Sequence, residues 1–335
     1  MVLAIDIGNT TIAFTGLEMT GQKSVTAPAE QNNAEPGSGE NTAVSSSPGA
    51  VDFDIVFSEK IPTETGKDTS VFLKEAGRVL GRFGIQVPDS EQTPDSRELV
   101  DSLPEALQGC QQKSSQFHSP EPGQQSRRAA VITAVAISSV VPACTPAAKI
   151  LAGKICENMP VVINWKCSTG LSFEKIPVPD RVGADRIADA AWAAARYPLP
   201  VMTVDMGTAT TINIVSADRK FLGGMIGAGV RTALHSLRTG TAQLPELLPG
   251  PVPPEKLIGT DTSGCMLSAA VVGTAAMIDG LALHVEEQIG SPLTLILTGG
   301  NASAVSEWIR HSYVLEPGLA AKGSALIALR ETGVH

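Results

Sequence analysis

Short apolar runs, each closed by Gly, Asp, Asn or Pro, alternate along the chain with longer segments whose apolar positions recur every three to four residues. The first kind predicts strands at 2–5, 12–17, 51–60, 130–139, 161–163, 201–204, 211–216, 221–226 and 293–298. The second predicts helices at 70–83, 145–158, 184–196, 230–239, 263–288, 302–309 and 319–329. Interleaving of this kind points to an α/β architecture.

Two stretches break the alternation. Residues 22–50 contain no aromatic and very few branched apolar side chains, and so cannot bury enough surface to offset the entropy of ordering. Residues from about 87 to 127 are rich in Gln, Ser, Pro and Glu, with Leu99, Leu103 and Leu107 at the spacing of one short helix. Both read as polar insertions in the first half of the chain, the first as a disordered loop. They divide a 335-residue chain into a two-domain core of roughly 265 residues and its additions.

Composition narrows the picture. Apolar residues make up 43% of the chain but aromatics only 4%, so the core must be built from Ala, Val, Leu and Ile in close contact. A formal net charge of −9 lacks the basic footprint of a nucleic-acid binder. The five cysteines fall in no CxxC or Cys/His ligand spacing, and the opening Met1–Asp6 segment lacks the basic region of a signal peptide. The longest apolar stretch, 266–285, is interrupted by Asp279 and His284 and reads as a buried helix rather than a membrane span. A cytoplasmic protein without a membrane partner is expected. The histidines show no ligand or triad spacing; His284 reads as a core or interface residue and Trp192 as packing.

One pattern occurs twice. VLAIDIGNTTIAFTG at the start and VMTVDMGTATTINIV in the middle each run from an apolar strand through Asp-x-Gly into a second apolar strand. Without gaps, Asp6 matches Asp205, Gly8 matches Gly207, Asn9 matches Thr208 and Thr11 matches Thr210. Such a hairpin ends a buried strand on a carboxylate and offers turn amides and hydroxyls to phosphate oxygens, while Asp6 can hold Mg²⁺ through water. An ordinary turn is the alternative for either copy alone. One copy per half predicts two α/β domains, at 1–198 and 199–335. GGMIGAG at 223–229 and LTGGNA at 297–302 add glycine pairs beside helix starts, where a nucleotide can approach the backbone. P-loop and dinucleotide fingerprints are absent from the sequence.

In this order the elements resemble the phosphate-1, phosphate-2 and adenosine segments of the acetate kinase–sugar kinase–Hsp70–actin superfamily, which implies two ribonuclease-H-like domains. DIGNTT, ISSVVP, VGADRIADAAWA, VDMGTATT, GGMIGAG, IGTDT and LTGGNA together are similar to the ordered motifs of type III pantothenate kinases. The resemblance implies ATP-dependent phosphorylation of pantothenate, the first step of coenzyme A synthesis. ATP would be bound by Asp6, Ile7, Gly8, Asn9, Thr10, Thr11, Ile12 and Ala13 with Thr208. Pantothenate would be bound by Gly183, Ala184, Asp185, Arg186 and Thr262, with Asp185 as the base. It further implies Mg²⁺ at Asp6, K⁺ or NH₄⁺ at Asp205, and a homodimer with its active site near the interface.

Other readings stay open on the residues themselves. Asp185 and Thr262 each stand where a helix N-cap is expected. Asn213, Asp189 and Ala228 replace the family's usual Asp, Asn and Pro, and its Thr-x-Asp-Glu element is reduced to Lys67-Asp68-Thr69. A non-catalytic regulatory homologue and a kinase for another small alcohol are the competing readings.

Overall fold

The computed structural model describes residues 1–20, 51–88, 131–247, 254 and 256–333. The 22–50 stretch, all of the second insertion beyond residue 88, Cys110, His118 and His335 lie outside the described residues.

The first sheet contains β1 (Val2–Ile7), β2 (Thr11–Thr20), β3 (Asp52–Pro62), β4 (Ala134–Ser139) and β5 (Val161–Val162), in the order β3-β2-β1-β4-β5. Strands β1, β2 and β3 pair antiparallel, whereas β4 and β5 join parallel. The second contains β6 (Val201–Met206), β7 (Ala209–Val215), β8 (Phe221–Ala228), β9 (Thr294–Thr298) and β10 (Tyr313–Leu315), in the order β8-β7-β6-β9-β10. Its pairing senses are the same. The repeat in sequence is thus a repeat of topology: two ribonuclease-H-like sheets, each opening with the Asp-x-Gly hairpin. Strand β10 was not foreseen; three half-buried edge residues are too few for a period to show.

Alternation along each strand sorts the side chains into three layers. Leu3, Ile5, Ile7, Ile12 and Phe14 face α1 (Thr69–Gly81) and α2 (Thr145–Ile155) on the outside of the first sheet. Met202, Val204, Met206 and Ile212 face α4 (Val230–Gly240) and α5 (Thr262–Ile289) on the outside of the second; the short α6 (Ala302–Ser306) joins that layer. Between the sheets lie α3 (Ala184–Arg196) and α7 (Leu319–Thr332), packed on Val2, Ala4, Ala136, Val201 and Val215. Although α7 ends the described chain, it packs against α3 and the first sheet.

The expected small-residue core is found in that middle layer. Ala188, Ala190, Ala191, Ala193 and Ala194 are all buried, and a methyl group on Gly323 of α7 would lie 1.9 Å from the carbonyl oxygen of Ala188. Trp192 packs as expected, fully buried with its ring 5.5 Å from Phe53. Of the two places expected for His284, the core is excluded: its side chain is 78% exposed and paired with Glu287, because it falls on the outer side of α5. That helix is long and apolar enough to cross a membrane, but Met266, Val271, Ala275, Ile278 and Ala282 are buried against the second sheet.

Candidate active site

The strand period that sends Ile5 and Val204 outward turns Asp6 and Asp205 inward, to the layer where α3 begins. Asp185 lies in the first turn of that helix and Asp189 one turn further on, on the same face. Four carboxylates from three elements therefore converge. Burial, followed by repulsion from Asp185, raises Asp6 to about 6, against the Ser138 hydroxyl and Lys60, which pull the other way. Burial, followed by repulsion from Asp6 and Asp185, raises Asp205 to about 7. Asp189 is fully buried, and neither carboxylate oxygen has a hydrogen-bond partner among the described residues; burial and the same three aspartates push it well above the usual carboxylate range.

These shifts fix a pH dependence of stability. A carboxyl group with a raised pKa in the folded state takes up its proton more readily there than in the unfolded chain, so its destabilising effect grows as pH rises from about 4 towards 7. The ligand-free protein is expected to melt at a higher temperature at pH 6 than at pH 8. Calorimetry at the two values checks this; a higher midpoint at pH 8 would show that the aspartates are already neutralised by another means.

The two hairpins meet at their tips, where the hydroxyls of Thr10 and Thr208 lie 3.0 Å apart. Asn9, Thr10, Thr11 and Thr208 are exposed, as phosphate donors must be, whereas Ile7 and Ile12 are fully buried and present only backbone to this region. Each turn is held from behind. The buried Thr63 donates its hydroxyl to the carbonyl of Gly8 (2.6 Å) and its amide to that of Thr10 (3.1 Å). Thr232 and Gly229, at the start of α4, donate to the carbonyl of Thr208 at 2.6 and 3.0 Å. The LTGGNA segment packs on the second hairpin: Asn301 donates to the carbonyl of Met206, and Gly299, at φ +94°, leaves the space in which the Asp205 carboxylate sits.

The turns differ in length by one residue. Asp6 pairs with Ala13 but Asp205 with Thr211, so Ile12, rather than Thr11, corresponds to Thr210; both are buried. The ungapped match of the two sequences therefore slips by one after the turn.

Asp185 is not the cap of α3. Gly183 holds that position, and Asp185 accepts from the amide of Arg186 at 2.8 Å, an anion placed at a helix N-terminus. A Cβ on Gly183 would meet the Asp185 carboxylate at 2.5 Å, so any larger residue there would displace that carboxylate. Beside this turn a cavity of about 340 Å³ is lined by residues including Ser139, Asn164, Trp165, Arg181, Gly183 and Ala184. Arg186 crosses from α3 to the second sheet, where its Nε donates to Asn213 Oδ1 at 2.6 Å. Thr262 is exposed in the first turn of α5, which is capped by Asp261 rather than by Thr262, and no hydrogen bond among the described residues ties it to the converging carboxylates. Lys67-Asp68-Thr69 is a helix start, with Asp68 capping α1. Thr63 and Lys60 were missed: neither stands in a motif, and each reaches the site only because β3 lies beside β2.

A Caulobacter vibrioides type III pantothenate kinase is 37% identical over 172 residues, covering 51% of this chain and 66% of that protein. The Phenylobacterium zucineum enzyme is 36% identical over 167 residues, 50% of this chain and 64% of its own length. This chain thus spans a little under two-thirds of the length of these relatives. A Roseiflexus castenholzii type III pantothenate kinase is 33% identical over 196 residues, 58% of this chain and 76% of that protein. Among solved structures, a conserved putative Baf family transcriptional activator from Campylobacter jejuni aligns with 99% of this chain and 98% of its own, at 15% identity and a TM-score of 0.46. The family model for type III pantothenate kinase matches residues 101–284, more than half of the chain. With the paired hairpins, the GADR turn and the LTGGNA segment brought together as described, the chain belongs to the type III pantothenate kinase family.

Proposed function

We propose that this protein transfers the γ-phosphoryl group of ATP to the 4′-hydroxyl of pantothenate, giving 4′-phosphopantothenate, the first step of coenzyme A synthesis. The observation that carries the reading is the convergence of Asp6, Asp205 and Asp185 beneath two hairpin tips joined by Thr10 and Thr208. Exposed turn donors receive the phosphates, and Asp185, beside the 340 Å³ cavity, receives the acceptor hydroxyl.

Phosphoryl transfer passes through a loose transition state, so the protein acts chiefly by alignment and charge. Asp185 orients the hydroxyl and takes its proton as the oxygen bonds to the γ-phosphorus and the bond to ADP breaks. Arg186 holds the pantothenate carboxylate; Gly183 and Ala184 line the cavity that admits the chain between carboxylate and hydroxyl.

Two buried carboxylates, both raised by burial and by Asp185, suit neighbouring cations. Among the described residues no group of three or more His, Cys, Asp or Glu side chains could hold a metal ion. Mg²⁺ would therefore be held by phosphate oxygens and by Asp6 through water, and K⁺ or NH₄⁺ by Asp205; together they supply neutralising charge at the triphosphate. We divide the chain near residue 198, between α3 and β6, and place a second copy against the exposed Met277 and Leu283 of α5, in a soluble cytoplasmic enzyme.

A coupled ADP-release assay tests the activity. Release that requires pantothenate, Mg²⁺ and K⁺ or NH₄⁺ supports it. Release with a different alcohol only favours the other superfamily kinase, and no release favours the regulatory homologue.

A further inference from the structure

Arg186 faces two side chains from two different elements. Its own helix supplies Asp189, three residues on and so beside it on the surface of α3. The second sheet supplies Asn213 of β7, whose Oδ1 accepts from Arg186 Nε at 2.6 Å while its Nδ2 donates to the hydroxyl of Thr203 at 3.1 Å. Both are fully buried. Asp189 is an acid with neither oxygen hydrogen-bonded among the described residues, whereas Asn213 is an amide satisfied at both ends.

The surrounding charges tie this acid to that arginine. Asp205, Asp185 and Asp6 all oppose ionisation of Asp189, and Arg186 favours it. For Arg186 itself, burial works against the charge, and Asp185 and Asp189 work for it. Three of the four converging aspartates have other work in the proposed mechanism, Asp6 and Asp205 beside cations and Asp185 at the acceptor hydroxyl. Asp189 does not line the cavity and is left to Arg186, a half-buried cation that needs an opposite charge close by.

Positions 189 and 213 are also two places where this chain departs from the family's usual residues, and the departures are opposite: Asp for Asn at 189, Asn for Asp at 213. Taken together they move one carboxyl group from strand to helix across a single guanidinium and leave the net charge unchanged. An acid at 213 is thus compatible with the site when 189 is an amide. With acids at both positions, five carboxyl groups would crowd one buried region. With amides at both, Arg186 would have Asp185 alone and would compete for it with the acceptor hydroxyl.

We infer that Asp189 is the charge partner of Arg186, a positioning residue that acts through it, and that positions 189 and 213 hold one carboxyl group between them, at either place provided the other is an amide. The inference rests on the proposed roles of Asp185 and Arg186.

A double-mutant cycle on Asp189→Asn and Asn213→Asp tests it, with kcat and KM measured for pantothenate and for ATP. Each single exchange is expected to lower kcat/KM for pantothenate by about tenfold, with the KM for ATP changed less than about twofold. Independent effects would multiply to a loss of about a hundredfold in the double exchange, whereas a shared carboxyl predicts recovery to within about threefold of wild type. A double exchange no better than Asp189→Asn alone would overturn the inference, and that comparison stands even if Asn213→Asp alone does not fold. The same cycle read by melting midpoint requires no turnover. There the double exchange is expected to melt about 2 °C or more above the sum of the single shifts, and this excess is expected to vanish in an Arg186→Gln background. Shifts that simply add, or an excess that persists without Arg186, would also overturn the pairing. An excess that depends on Arg186 in a protein that does not phosphorylate pantothenate would uphold the pairing and remove only the reading of the site.

Discussion

Asp185→Asn is expected to lower kcat for pantothenate phosphorylation by about a thousandfold, with the KM for ATP within about threefold of wild type. Asp185 sits in the first turn of α3, held by the Arg186 amide and given room by Gly183, beside the cavity. The exchange keeps its size and leaves both phosphate hairpins untouched, so binding of ATP should survive. What it removes is the group proposed to accept the hydroxyl proton and one of the charges raising Asp6 and Asp205. Steady-state kinetics with each substrate varied in turn separate these effects. A variant that keeps more than about a tenth of wild-type kcat would assign the proton to another acceptor.

Gly323→Ala is the largest expected structural effect. The added methyl would lie 1.9 Å from the Ala188 carbonyl oxygen and 2.5 Å from its carbon, both of them backbone atoms of α3 that no side-chain rotation can move aside. Helices α3 and α7 must separate, and every neighbouring side chain in the layer loses contact. The cost is about 3 kcal/mol, which in a chain of this size lowers the melting midpoint by roughly 4–5 °C. Because α3 carries Asp185 and Arg186 at one end and packs against both sheets, kcat should fall with stability. A midpoint within about 2 °C of wild type would mean that the two helices sit further apart than described.

Much of this arrangement was legible in the chain itself. Short apolar runs located nine of the ten described strands, and the doubled Asp-x-Gly hairpin anticipated two sheets of one topology. The bounds of α3 were read without error because its small, Ala-rich run begins after Gly183 and ends before Tyr197, which leads into Pro198 and Pro200. What escaped notice depends on neighbours distant in sequence. Thr63 supports the first hairpin only because β3 folds back beside β2, and Lys60 reaches the aspartates by the same route. The one-residue slip between the hairpins appears only in the ladder, since both turns begin with the same Asp-x-Gly. The core alternative for His284 fails because α5 is apolar over much of its circumference, so its buried side could not be told from composition.

Asp189 and Asn213 drew attention in the sequence only as departures from the family's usual residues. In the fold they acquire separate meanings. Asn213 is a satisfied amide between Thr203 and Arg186, whereas Asp189 is a buried carboxyl without a hydrogen-bond partner among the described residues, beneath three other aspartates.

The central claim is that two facing hairpins and the GADR turn form one phosphoryl-transfer site for pantothenate. Incubation of the purified protein with γ-labelled ATP, Mg²⁺, K⁺ and pantothenate, followed by mass analysis of the product, tests it most directly. The account predicts label on the 4′-oxygen of pantothenate in amounts equal to the ADP formed. ADP formed with its label in free phosphate, and pantothenate recovered unmodified, would contradict it.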